Sequence, residues 1–244
     1  MIFVDIHIHL LFDVDDGAKT EQQMREMLDT AYADGTRTIC ATPHFHPGYF
    51  GDNRNAVEDA FTKLKKYAKK YSDLQLCLGN ELRYSPNCFD WLNNGNCMPL
   101  NGNRYVLVDF LESDDSEYIV SSVLKLLNAG YTPILAHAER YENFHRDMRE
   151  IMYLQECGVV IQVDAQSLFG GWGRGAKQRS RRMMENYLAD VIASDAHDVL
   201  DRSPQMSACY DYAVNKCGEE YAERIFLKNP LDILKNSDIR KELD

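Results

Sequence analysis

The 244-residue chain carries 27 Lys+Arg against 38 Asp+Glu, and a formal charge of −11 argues against a nucleic-acid grip. Its 45% apolar and 11% aromatic content, with only 7 Pro and 14 Gly, excludes a disordered or fibrous chain. No apolar run approaches the roughly 18 residues of a membrane span. The length suits one domain over residues 1–244, because α/β barrels of about 200–250 residues routinely form one. In chain order, seven β-branched and aromatic runs read as strands. They are IFVDIHIH from Ile2, TICATPH from Thr38, LQLCLGNEL from Leu74, YVLVDF from Tyr105, TPILAHA from Thr132, VVIQVDA from Val159 and VIASDAH from Val191. Helical spacing lies between them, as in Met24, Met27, Leu28 and Ala31, or Ile119, Val120, Val123, Leu124 and Leu127. Regular β/α alternation predicts parallel strands with crossover helices.

Local signals agree with that alternation. Thr20 followed by Gln23 predicts a capping box opening the first helix. Lys63, Lys65, Lys66, Lys69 and Lys70 predict a solvated helix face, and Ile225, Phe226, Leu231, Ile233 and Leu234 around Pro230 predict one or two closing helices. Met1 leads into a strand pattern with no basic leader, which predicts a cytoplasmic protein. Seven cysteines at irregular spacing, without a CxxC pair, read as reduced and mostly buried thiols.

The ionisable residues collect at strand ends. Asp5, His7 and His9 are spaced by two, so a regular strand places them on one face and Val4, Ile6 and Ile8 on the other. His44, Glu81, Asp109, His137, Asp195 and His197 close later runs, and Asp16 lies in the DVDDG loop after the first. Any one of them alone is more often a satisfied structural group; together they predict a site on the C-terminal rim of a β/α barrel. Imidazole and carboxylate without thiolate suit Mn²⁺, Zn²⁺ or Fe²⁺. So many ligands exceed one ion's needs, and a multinuclear cluster would make hydroxide available near neutral pH and clamp a phosphoryl or carbonyl oxygen. Arg140 and Arg202 add two guanidinium forks near the rim, which suits a phosphomonoester dianion better than an amide.

Six motifs then carry a resemblance: HIH at 7–9, DVDDG at 13–17, ATPH at 41–44, GNE at 79–81, HAERY at 137–141 and SDAH at 194–197. In this order they resemble the PHP (polymerase and histidinol phosphatase) superfamily. DVDDGAKT, AHAERY and SDAH followed by DRSP are more specifically similar to the bacterial PHP protein-tyrosine phosphatases that accompany capsule and exopolysaccharide tyrosine autokinases. The resemblance implies a distorted seven-stranded parallel (β/α)7 barrel holding three divalent ions, usually Mn²⁺, with iron or zinc as alternatives. By motif position it implies one ion on His7, His9, Glu81 and Asp195, a second on Glu81, Asp109 and His137, and a third on Asp16, His44 and His197. Arg140 and Arg202 match the family's phosphate-contacting arginines. Capsule-type relatives commonly have Glu where this chain has Asp109, one methylene shorter, which bears on the second ion's affinity. The implied partner is a phosphotyrosine-bearing protein, a bacterial tyrosine autokinase. Neither nucleic acid nor membrane insertion is expected, and homo-oligomerisation stays open.

Other patterns carry less. Cys77, five residues and Arg83 satisfy the minimal signature of cysteine-dependent tyrosine phosphatases. The intervening LGNEL reads as a strand end bearing an anionic Glu81, not as a phosphate cradle. FGGWGRG at 169–175 fails the P-loop pattern and predicts a mobile loop that, with HPGYFGDNR at 46–54, either rings the mouth with aromatics or simply packs one Trp. Asp164 and His46 near the rim are expected to support ligands or to be solvated. A small-molecule phosphatase of histidinol phosphatase type and a non-catalytic metal-binding regulatory module are the competing readings.

Overall fold

The computed structural model describes residues 1–50, 53–144 and 148–239; Gly51 and Asp52 of the HPGYFGDNR segment lie outside the described residues. All strand pairings among the described residues are parallel, with helices in the crossovers. The strands are β1 (Phe3–Ile8), β2 (Thr36–Ala41), β3 (His44–Phe45), β4 (Gln75–Leu78), β5 (Glu81–Arg83), β6 (Tyr105–Asp109), β7 (Thr132–Leu135), β8 (Val160–Asp164) and β9 (Val191–Ala193). They form a three-stranded sheet ordered β1-β2-β4 and a six-stranded sheet ordered β3-β5-β6-β7-β8-β9.

Seven runs therefore become nine strands among the described residues, because two runs break. The TICATPH run divides at Thr42–Pro43, where proline has no N–H to give the ladder. LQLCLGNEL divides at Gly79–Asn80, where Asn80 pairs with Met98 in place of a strand: Asn80 N–H donates to Met98 O at 2.9 Å and Met98 N–H donates to Asn80 Oδ1 at 2.9 Å. A Cβ at Gly79 would lie 2.9 Å from Leu100 Cα, so only glycine fits this approach. Past both breaks the chains pair again, with His44 opposite Glu81. At the far side β9 returns to β1 through the Ile8–Ala196 bridge.

β1 also departs from strict alternation. Between paired positions it advances from Asp5 to Ile8 while β2 advances only from Ile39 to Ala41, the extra residue of a β-bulge. Val4 and Ile6 pack with Leu107, Ile134, Val160 and Val191, whereas Ile8 packs with Met24, Leu28 and Leu64. Asp5 does not join His7 and His9 in a common cluster. Its carboxylate instead accepts from His7 N–H at 3.2 Å and from Ser194 Oγ at 2.6 Å.

Helix Glu21–Asp34 starts at Thr20, whose hydroxyl accepts from Gln23 N–H, and buries Met24, Met27, Leu28 and Ala31. The return half of the capping box is displaced by one residue, since Gln23 Oε1 accepts from Lys19 N–H. The five lysines of residues 63–70 are exposed. Ile225, Phe226, Ile233 and Leu234 are buried in the helical stretch Glu219–Leu234. Cys40, Cys88, Cys97 and Cys209 are buried free thiols, and no disulfide forms among the described residues. No helix of the described residues is long and apolar enough to cross a membrane.

Candidate metal centre

The strand ends bring all nine sequence-nominated ligands to one place. His7 Nε2 lies 3.3 Å from Glu81 Oε1 and 3.2 Å from Asp195 Oδ1, and His9 Nε2 lies 3.2 Å from Glu81 Oε2 and 3.3 Å from Asp195 Oδ1. Asp16 Oδ1 is 3.3 Å from both His44 Nε2 and His197 Nε2. Three groups have ligand atoms within 4.8 Å of one another: His7, His9, Glu81 and Asp195; His9, Asp16, His44 and His197; and His44, Glu81 and Asp109. His137 falls in none of these groups, yet its Nε2 stands 3.0 Å from Glu81 Oε1. His44 takes its place beside Asp109, because β3 sets His44 opposite Glu81.

The outer nitrogens decide what the inner ones can do. His7 Nδ1 faces Gln162 Oε1 at 3.0 Å, an atom fixed as oxygen because it also accepts from His137 N–H at 2.9 Å. His9 Nδ1 donates to Asp15 Oδ2 at 2.8 Å and His197 Nδ1 to the Asp195 carbonyl at 2.9 Å. In the neutral tautomers so defined, Nε2 of each ring is a bare lone pair. Those of His7 and His9 meet at 3.1 Å, with carboxylate oxygens on either side. Lone pairs facing carboxylates repel unless a cation or proton lies between them, so this donor set fits divalent ions. Buried His137 Nδ1 and Asp109 Oδ1 also lack hydrogen-bond partners.

Without an ion, a proton takes that place on His9: burial opposes its charge, but Asp15 and the other carboxylates outweigh it and hold the ring well above its usual value. His137 and His197 are pulled down to about 4, by burial first and then by Arg140 and His9 respectively, so both are neutral at pH 7. Burial, with Glu81 beside it, pushes Asp109 up to about 7. Two of the nine, His137 and Asp195, occupy left-handed backbone at φ 34° and φ 47°.

Above these groups opens a cavity of about 250 Å³, lined among others by Arg83, Asp109, Glu112, Arg140, Trp172 and Arg202. Arg140 Nη2 contacts Asp164 and Asp195, both at 2.5 Å, and Arg202 Nη2 contacts Asp195 Oδ2 at 2.8 Å. Trp172 stacks against both guanidinium groups, with Cζ at 3.6 Å for Arg140 and 4.6 Å for Arg202. The FGGWGRG segment thus places its indole on the cavity wall and continues into helix Gly173–Glu185. Asp164 is buried as a support for Arg140, while His46 stacks on Tyr49 away from the three groups. Cys77 is not among the cavity-lining residues; it packs on the interior core, where burial raises its thiol.

Sequence reasoning missed Asp15, Gln162 and Glu139. Asp15 holds His9, accepts from His44 N–H at 3.0 Å and closes onto Gly17 N–H at 2.9 Å. The Asp-x-Gly spacing inside DVDDG was its available signal. Gly17 is obligatory there, since a Cβ would stand 2.0 Å from His9 O. Buried Glu139 accepts from Ser167 Oγ at 2.5 Å beneath Arg140.

Comparison with known proteins adds a family. A profile described as "Capsular polysaccharide synthesis, CpsB/CapC" matches residues 3–235. Tyrosine-protein phosphatase CpsB of Streptococcus pneumoniae is 31% identical over 237 residues, 95% of this chain and 98% of that one. Tyrosine-protein phosphatase YwqE of Bacillus subtilis (strain 168) is 33% identical over 201 residues, 82% of this chain and 79% of that one. Among solved structures, one reported with YwqE of Bacillus subtilis and CpsB of Streptococcus pneumoniae as "unique metal-dependent tyrosine phosphatases" superposes with a TM-score of 0.89. Its sequence identity is 30%, over 98% of this chain and 97% of that one. A phosphotriesterase from Mycobacterium tuberculosis shares the fold alone, at TM-score 0.54 and 11% identity over 90% of this chain and 86% of that one.

Proposed function

This chain belongs to the CpsB/CapC family of capsular polysaccharide synthesis, and from that premise we propose that it is a metal-dependent protein-tyrosine phosphatase acting on a tyrosine autokinase of polysaccharide synthesis. The observation that carries the reading is the stack itself: three imidazole–carboxylate groups lie beneath a cavity whose wall presents Arg140 and Arg202. In this reading His7, His9, Glu81 and Asp195 hold one ion, and Asp16, His44 and His197 hold another. Glu81 and Asp109 hold the third with His137, whose Nε2 stands 3.0 Å from Glu81 Oε1, because the single lone pair of a neutral His44 goes to the ion beside Asp16. Three divalent ions, manganese by preference and iron or zinc otherwise, would supply Lewis acidity and lower the pKa of water at the site.

The chain's own residues do the rest. Arg140 and Arg202 take the phosphoryl oxygens and stabilise the charge that spreads over them during transfer. Asp164, Asp195 and Trp172 fix those guanidinium groups in advance. Gln162 and Asp15 orient the histidines. The departing phenol has a pKa of about 10, so a general acid matters less than for an alkoxide, and none is assigned. The same reading treats residues 1–244 as one domain and the two sheets as one distorted (β/α)7 barrel. Each broken run then counts as a single position, and the Ile8–Ala196 bridge closes the ring. The relatives CpsB and YwqE, both tyrosine-protein phosphatases, favour this activity over a histidinol phosphatase or a non-catalytic module.

The test is phosphate release from a phosphotyrosine peptide, beside a phosphoserine peptide and histidinol phosphate, with chelator-stripped protein before and after Mn²⁺ is restored. Manganese-dependent release favouring phosphotyrosine is expected. Preference for histidinol phosphate, or full activity in a His7→Ala/His9→Ala variant, overturns the reading.

A further inference from the structure

Arg83, which shares the coincidental cysteine signature with Cys77, lies apart from it: Cys77 packs on the interior core while Arg83 reaches the cavity. It lies two residues beyond Glu81 on β5, so both side chains face the same way. β5 pairs with β6 in a register that sets Arg83 directly opposite Asp109. Arg83 Nη2 meets Asp109 Oδ2 at 2.8 Å, and Arg83 lines the cavity with Arg140 and Arg202.

Three guanidinium groups thus converge on one cavity, each tied to a carboxylate through its Nη2. That convergence suits an anion with several oxygens, because one neutral oxygen cannot serve three cationic groups. The charge inventory favours Arg83 as a full participant. Arg140 is offset by two carboxylates, Asp164 and Asp195, whereas Arg83 has Asp109 alone. Glu112 on the same wall, which holds no ion in the reading above, repels an incoming dianion, and Arg83 is placed to offset it.

We propose that Arg83 is a third phosphate-binding arginine, anchored through Asp109 and meeting the phosphomonoester dianion together with Arg140 and Arg202. This rests on the phosphatase reading above. Asp109 accordingly has two duties: one oxygen fixes Arg83, and Oδ1 is left for the metal group beside His44 and Glu81.

The experiment measures binding of inorganic phosphate to the metal-loaded protein by calorimetry, with bound metal counted in the same samples. For Arg83→Met the phosphate Kd is expected to rise about tenfold or more, with the metal count unchanged and KM for a phosphotyrosine peptide raised. Arg83→Lys keeps the charge and loses the fork, so its Kd should fall between the two; it also serves if Arg83→Met does not fold. A Kd within twofold of wild type for Arg83→Met, or for Arg83→Lys where it alone folds, overturns the proposal. So does a lowered metal count whose repair by added metal restores the phosphate Kd, because Arg83 would then act only through Asp109. A wild-type protein that holds its metal and binds no phosphate overturns the phosphatase reading itself, and Arg83's role with it.

Discussion

Replacing Trp172 with alanine removes the indole from two guanidinium faces at once, at 3.6 Å from Arg140 and 4.6 Å from Arg202. Such a stack is worth about 0.5–1 kcal/mol where water reaches it and about 2 kcal/mol where water is excluded. Arg140 is buried and Arg202 half-buried, so the pair comes to roughly 2.5–3 kcal/mol. Part of that is retained in the variant, because Asp164 and Asp195 still hold Arg140 and Asp195 still holds Arg202. If half is lost at the transition state, kcat/KM falls about tenfold, corresponding to about 1.4 kcal/mol. Steady-state kinetics on a phosphotyrosine peptide read this directly, and Trp172→Phe should fall between wild type and alanine. Only one other tryptophan exists, Trp91, so a Trp91→Phe background makes the emission of Trp172 a reporter of phosphate entering the cavity. Trp172→Ala with kcat/KM within twofold of wild type would refute the reasoning, since the arginines would then need no aromatic support.

Asp15→Asn withdraws the carboxylate that orients His9 and should weaken binding of at least one ion by about 10–100-fold; metal titration of stripped protein that matches wild type would contradict this. Asp109 has its carboxyl pushed up to about 7 by burial and by Glu81, so the metal-free fold bears no cost from it below about pH 4, where both states are protonated, and loses stability between about pH 4 and about pH 7. Stripped Asp109→Asn should therefore gain melting temperature over stripped wild type across that window and keep a level advantage above it, and a gap that stays constant from about pH 4 to pH 7 counts against it. Cys77→Ser should leave kcat within twofold of wild type, whereas a loss beyond tenfold would restore the thiolate mechanism that the placement of Cys77 argues against.

The ligand-bearing residues were legible because strand ends are legible: His7, His9, His44, Glu81, Asp109, His137, Asp195 and His197 each close a recognisable run or restart a broken one. Their neighbours across the barrel were not. Gln162 stands 155 residues from the ring it orients, and no local pattern records which strand will face which. The bulge in β1 was hidden for the same reason, since it exists only relative to β2. Breaks at Thr42–Pro43 and Gly79–Asn80 had local signals in the proline and glycine, yet their effect was global. By restarting the ladder with His44 opposite Glu81, they brought His44 into one group with Glu81 and Asp109, while His137 meets the other oxygen of the Glu81 carboxylate.

The left-handed backbone at His137 and Asp195 sets a limit on how this protein could evolve toward robustness. Each non-glycine residue there costs on the order of 1–2 kcal/mol that a glycine would not, and each carries a side chain turned toward Glu81 or the paired histidines. Selection for a sturdier fold alone would drift toward glycine at both places and dissolve the centre while making the scaffold more durable. A lineage that keeps histidine and aspartate there is selected for what the site does, at the expense of how firmly the chain holds together.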